Sequence, residues 1–211
     1  GLALDRTGGI YVGGTSCDSV YYDSTSYYGV VYYVCTVMKY ASDGDQLWTV
    51  KYRPADTVSA IPLDFTVDSS GNIIIVGYTS QSLPGSWWSS TTKCMTLKFT
   101  ASGVLQWSSF YQDPHSQHAA GVRVANDQAG NVYVAGANGG RPYNLFLGND
   151  SVFLSKYDQN GQLQWASIIN STAWSYLKPV DVALDPAGFP YVTWLRTQSY
   201  SYFDAVFTAS Y

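Results

Sequence analysis

Apolar and polar positions alternate with period two in short runs along this chain. Leu63, Phe65 and Val67 form one such run, Val122 and Val124 a second, and Val180, Val182 and Leu184 a third. Period two predicts strands with one face toward a core. Each run ends at an Asp (Asp68, Asp127, Asp185), and Asp5 holds the same place near the start. Gly follows three residues on, at Gly8, Gly71, Gly130 and Gly188. Asp opens a type I turn because its side chain bonds the following amides. Gly closes it because the chain there enters a left-handed conformation. A second strand comes next: IYVGG, IIIVGY, VYVAG and PYVTW. After a variable loop, a third strand is predicted around 34–40, 93–99 and 151–157. A second tight turn at Gly44, Gly103 and Gly161 leads into a fourth strand carrying Trp48, Trp107 or Trp165.

The pattern is one sentence repeated about three and a half times. The Asp spacings are 63, 59 and 58 residues and the Trp spacings 59 and 58, so the extra residues of the first copy belong to the loop around 17–33. The expected fold is therefore all-β, a β-propeller of four-stranded antiparallel blades, and 1–211 is one domain or fragment with units of about 1–59, 60–118, 119–177 and 178–211. Tyr211 aligns with Tyr157, so the last unit stops at its third strand. That leaves three readings: a four-bladed ring with an incomplete blade, part of a larger ring, or an edge completed by another chain. The Trp and the turn Asp residues are read as packing and turn-forming residues.

Composition sharpens this picture. Charged residues are 12% of the 211 and aromatics 16%, with 19 Tyr, which suits strands better than helices. A net charge of −4 argues against a nucleic-acid partner, and the apolar stretches are too short to span a bilayer. The chain opens on Gly1 without a basic-then-apolar leader, which reads as a mature form or a fragment. Cys17 and Cys35 flank one Tyr-rich loop and are the expected disulfide pair. Cys94 is then left over, either buried and free or linked outside the fragment.

The quoted motifs resemble the SBBP-type β-propeller repeats of secreted and surface proteins. The best match is the third unit, with DQAGNVYVAG at 127–136 and KYDQNGQLQW at 156–165. The resemblance covers nearly the whole chain outside its loops and implies the fold rather than an activity. Departures include Gly9 where other units have Asn72 and Asn131, and Phe189-Pro190 in the fourth unit.

Candidate chemistry lies in the parts that vary. Asn149 and Asn170 head glycosylation sequons expected at exposed blade edges. Asp64, Arg123 and Asp181 all stand four residues before a repeat Asp, on the strand-one face opposite the apolar one, and are expected to meet in a central channel. They form either an ion cluster that fixes blade order or a ligand site. Asp113, His115 and His118 lie between units two and three and read as a polar link, not a metal site. Trp87, Trp88, Tyr21, Tyr22, Tyr27 and Tyr28 occupy the strand two–three loops of consecutive units and are expected to share one interaction rim. No nucleophile elbow, phosphate loop or zinc-protease motif occurs. The expected function is a non-catalytic extracellular or cell-surface module, structural or adhesive, that assembles with other protein chains and needs no cofactor. The alternative is a carbohydrate-binding propeller with rim aromatics stacking on sugars, and behind it a propeller glycoside hydrolase.

Overall fold

The computed structural model describes residues 1–22, 29–55, 59–82, 90–139, 151–170, 175–198 and 201–210, with side chains except at 20–22, 29–30, 82, 90, 175–176, 197–198 and 201–210. Every element described is a strand, and the strands fall into the four repeat units. Unit one holds β1 (Leu2–Leu4), β2 (Ile10–Tyr22), β3 (Gly29–Tyr40) and β4 (Gln46–Tyr52). Unit two holds β5 (Ser59–Val67), β6 (Ile73–Ser82), β7 (Ser90–Phe99) and β8 (Leu105–Tyr111). Unit three holds β9 (Ala119–Asn126), β10 (Val132–Asn138), β11 (Ser151–Tyr157) and β12 (Leu163–Asn170). Unit four holds β13 (Ser175–Leu184), β14 (Pro190–Gln198) and β15 (Ser201–Ser210). Within each unit the strands pair antiparallel in sequence order. Single parallel pairs, Tyr33 with Ser59 and Thr92 with His118, tie the start of one unit to the third strand of the unit before.

The turns form as their residues dictate. Asp68 Oδ1 accepts the Ser70 and Asn72 amides, and Gly71 follows with φ of 79°. Asp5, Asp127 and Asp185 each repeat the bond to the amide four residues on. The outer oxygen of Asp68 also takes the Lys98 ammonium at 3.1 Å, as Asp5 takes Lys39 at 3.3 Å. The loop around Tyr21 and Tyr22 departs from expectation. Those two residues lie in β2, opposite Val30 and Gly29, because the β-favouring run of Tyr and Val carries the hairpin past the predicted strand end.

The core lies between units. Tyr11, Val37, Trp48, Val50 and Tyr52 of unit one pack on Ile73, Ile75, Leu97 and Phe99 of unit two. Ile74, Val76 and Trp107 then meet Val132, Val134 and Tyr157 of unit three, and Tyr133, Leu154 and Trp165 meet Val182 and Val192 of unit four. A strand covered on both faces is apolar on both, which explains the continuous run Ile73–Val76. Each outer-strand Trp fastens its unit to the next. The Trp48 indole N–H donates to the Ala101 carbonyl at 3.2 Å, and Trp107 donates to Gln159 at 3.0 Å. The rings lie over Gly103 and Gly161, where any Cβ would come within 3.2 and 2.6 Å of the indole.

Candidate functional site

The first strands β9 and β13 pair on one side only, and β5 does so beyond its single Tyr33–Ser59 pair, so each leaves a row of backbone groups without a ladder partner. All three carry a β-bulge at the same place. Leu63, Val122 and Val180 are the extra residues, each immediately before Asp64, Arg123 or Asp181. A bulge re-aims the side chain beside it. Here it turns the ionisable residue onto the strand edges. Asp64 accepts the Val124 amide of the neighbouring unit at 3.1 Å, Asp181 accepts the Val182 amide, and Arg123 donates to the bulged Val122 carbonyl at 2.8 Å.

The structure does bring these three residues together. Burial pushes the Asp64 carboxyl up, the Val124 bond and the Arg123 guanidinium work against that, and Asp181 adds to it. A side-chain bond between Thr66 and Asn126 continues the contact one step along the strands. Below it lies a cavity of about 280 Å³ lined by Asp5, Asp68 and Asp127 and the residues beside them. Those carboxylates are already committed to their own turns. Each of the three charges is thus engaged with a backbone group, Asp64 across units and Arg123 and Asp181 beside their own bulges. Among the described residues, no three His, Cys, Asp or Glu side chains are placed to hold a metal ion.

The Cys17–Cys35 bridge is not formed, and both thiols are free. The register sets Cys17 across from Tyr33 and Cys35 across from Thr15, so the two sit diagonally on adjacent strands, beyond ordinary disulfide spacing. Cys17 is exposed, while Cys35 and Cys94 are buried and their thiols are pushed up to about 12 by that burial. Asp113 is buried and organises the unit two–three link: it accepts the His115 amide at 2.9 Å and the Asn138 amide group at 3.4 Å. Asn170 ends β12 and is exposed. Asn149, Trp87, Trp88, Tyr27 and Tyr28 lie outside the described residues, and the side chains of Tyr21 and Tyr22 do too.

An uncovered apolar face on unit one was not foreseen from the sequence. Cross-strand pairing lines up Leu2, Val12 and Met38, and beside them Leu4, Ile10 and Tyr40, on the face of unit one turned away from unit two. The matching rows of unit two are Phe65, Ile75 and Leu97, and Val67, Ile73 and Phe99. There Ile73, Ile75, Leu97 and Phe99 are at most 2% exposed and Phe65 and Val67 partly buried, whereas in unit one Ile10, Val12, Met38 and Tyr40 are only partly buried and Leu2 and Leu4 are 68% and 62% exposed. The opposite end of the row is open as well: Tyr191 is 39% exposed where the equivalent Tyr11, Ile74 and Tyr133 are buried. The available signal was the repeat itself, since Leu2, Leu4, Ile10, Val12, Met38 and Tyr40 hold the positions that unit one covers on unit two.

No protein-family model matches this chain, and no curated protein is similar to it. Its fold is similar to that of a protein of unknown function from Dyadobacter fermentans DSM 18053 known from a crystal structure. The TM-score is 0.63 at 12% identity, over 99% of this chain and 64% of that one. This chain therefore spans just under two thirds of that protein's length, and the likeness concerns fold alone.

Proposed function

We propose that the chain is an arc of a β-propeller that serves as a non-catalytic structural or adhesive module, joining other protein chains outside the cell or at its surface. The observation that carries this is the pair of open end faces. Leu2 at one end and Tyr191 at the other are exposed, whereas Val124 and Val182, which repeat Leu2, and Tyr11, Ile74 and Tyr133, which repeat Tyr191, are buried against neighbouring units; Leu4 is exposed where Val67 is partly buried. Such faces are halves of a heterologous contact, which closes into a ring or runs on as a filament. Support for the propeller comes from four units in series, each with its first strand against that of the next. The assembly reading also draws on the axial charges, which are engaged with backbone edges and so explained without a substrate. The low charge and the exposed Asn170 accord with an extracellular setting. Sedimentation velocity tests the reading. Association that grows with concentration and is reduced by Leu4→Asp is expected; a monomer at every concentration would overturn it.

A further inference from the structure

Resting on that reading, we infer that the open face of unit one is the acceptor for one particular partner surface: the rear of another unit of this repeat, complete with its Trp-bearing outer strand. The chain builds this interface twice. Unit one covers the front of unit two with Trp48, Val50 and Tyr52, and unit two covers the front of unit three with Trp107 and Tyr111. In both, the indole N–H reaches a carbonyl in the β3–β4-type turn of the next unit, at Ala101 and at Gln159, and the ring lies on that turn's Gly.

Unit one carries every element of the same seat. Its turn runs from Ala41 to Gly44, closed by the Gly44 N–H to the Ala41 carbonyl at 3.0 Å. Gly44 holds φ of 95°, as Gly103 and Gly161 hold 83° and 79°. By repeat register Ser42 stands where Ala101 and Gln159 stand, so its carbonyl is the matching acceptor, and Ser42 is exposed. Among the described residues nothing lies within 4 Å of a Cβ built on Gly44. The apolar rows beside the turn, Leu2–Val12–Met38 and Leu4–Ile10–Tyr40, continue the same match. A Trp strand therefore finds there the carbonyl, the side-chain-free Gly and the apolar rows that Trp48 and Trp107 find on units two and three. In a solenoid-like row, such nearest-neighbour contacts couple the stability of adjoining units.

The full chain with one added unit tests this. A second copy of residues 59–122 joined ahead of Gly1 gives the added unit its native link, because Gly1 stands where Arg123 stands. The expected result is a single thermal transition several degrees above that of the original chain. Trp107→Ala in the added copy, or Leu4→Asp on the acceptor face, should cancel the gain. Leu4 is exposed in the original chain, so Leu4→Asp there, melted at a dilution where sedimentation finds only monomer, should leave its melting unchanged and serves as the folding control. Two separate transitions, or a gain that survives both substitutions, would overturn the inference. If the original chain self-associates in sedimentation and the added unit nevertheless melts separately, this inference fails while the assembly reading stands. Coupled melting of a chain that never self-associates would instead uphold this inference and overturn the assembly reading.

Discussion

Gly77 and Gly14 hold the same repeat position, and alanine should affect them very differently. Gly77 lies in β6 opposite Pro62, where the bulge at Leu63 drives the β5 backbone inward. A Cβ on Gly77 would stand 1.9 Å from the Ile61 carbonyl oxygen and 2.8 Å from the Pro62 Cα, and both are backbone atoms that no rotamer change can move. Ordinary contact begins near 3.4 Å, so β5 must retreat by more than 1 Å or the bulge must be lost. Losing the bulge would swing Asp64 off the Val124 amide. Overpacking costs about 1–3 kcal/mol, and a displaced backbone puts Gly77→Ala near the top of that range, about 3 kcal/mol. For a chain of this size that lowers Tm by roughly 6–12 °C. Gly14 has nothing within 4 Å, so Gly14→Ala should stay within about 0.5 kcal/mol of the parent. Thermal and urea unfolding of the two variants, each checked for unchanged strand content by circular dichroism, measure the contrast. Equal effects, or a Gly77→Ala protein as stable as the parent, would refute the bulge geometry on which the Asp64–Val124 contact depends.

Other expectations follow from single contacts. Trp107→Phe keeps an aromatic ring but loses the bond to the Gln159 carbonyl, and denaturant titration should show a loss of about 1 kcal/mol. Thiol titration of the native chain should find one fast group, Cys17, and two that react only on unfolding, and peptide mapping should find no Cys17–Cys35 bridge. Asp68 titrates low: burial opposes its charge, but the Asn72 bonds and Lys98 outweigh it. Its contribution is therefore present above the unfolded carboxylate value of about 3.9 and fades as pH falls through the lower folded value. Asp68→Asn leaves the buried Lys98 ammonium without its partner, so it should cost about 3 kcal/mol at neutral pH, with the gap closing in acid. Asp64 shifts upward, so the folded chain prefers it protonated and ionisation above the folded value costs stability. Asp64→Asn keeps an acceptor for Val124 and should be at least as stable as the parent at neutral pH, with the difference shrinking as pH falls.

Much of the fold could be read from the chain because its signals are local. Asp and Gly at fixed offsets specify turns that need only neighbouring amides, and period-two runs specify strands. The indole bonds to Ala101 and Gln159 cross from one unit to the next, yet the regular Trp spacing already marked those residues as inter-unit packing. What stayed hidden depended on register. The Cys17–Cys35 pairing failed on a two-residue offset between adjacent strands, which loop position alone does not reveal. Repeat register singled out Asp64, Arg123 and Asp181, but their bonds to backbone groups at Val124, Val122 and Val182 arise beside bulges that no residue type announces. The face at Leu2 and Leu4 was missed for a different reason: its residue types match those of the covered faces of units two and three, and residue type alone does not report exposure.

The two methionines of the chain report on that difference side by side. Met38 lies on the front of unit one, only partly covered, and Met95 lies on the front of unit two, 0% exposed beneath unit one. Peroxide oxidation of the native protein, followed by peptide mapping at low and high protein concentration, tests the central claim directly. If open faces mediate assembly, Met38 should oxidise far faster than Met95 in dilute solution and slow markedly as the protein is concentrated, with Met95 slow throughout. A Met38 as protected as Met95 in dilute solution, or one equally reactive at every concentration, would contradict it.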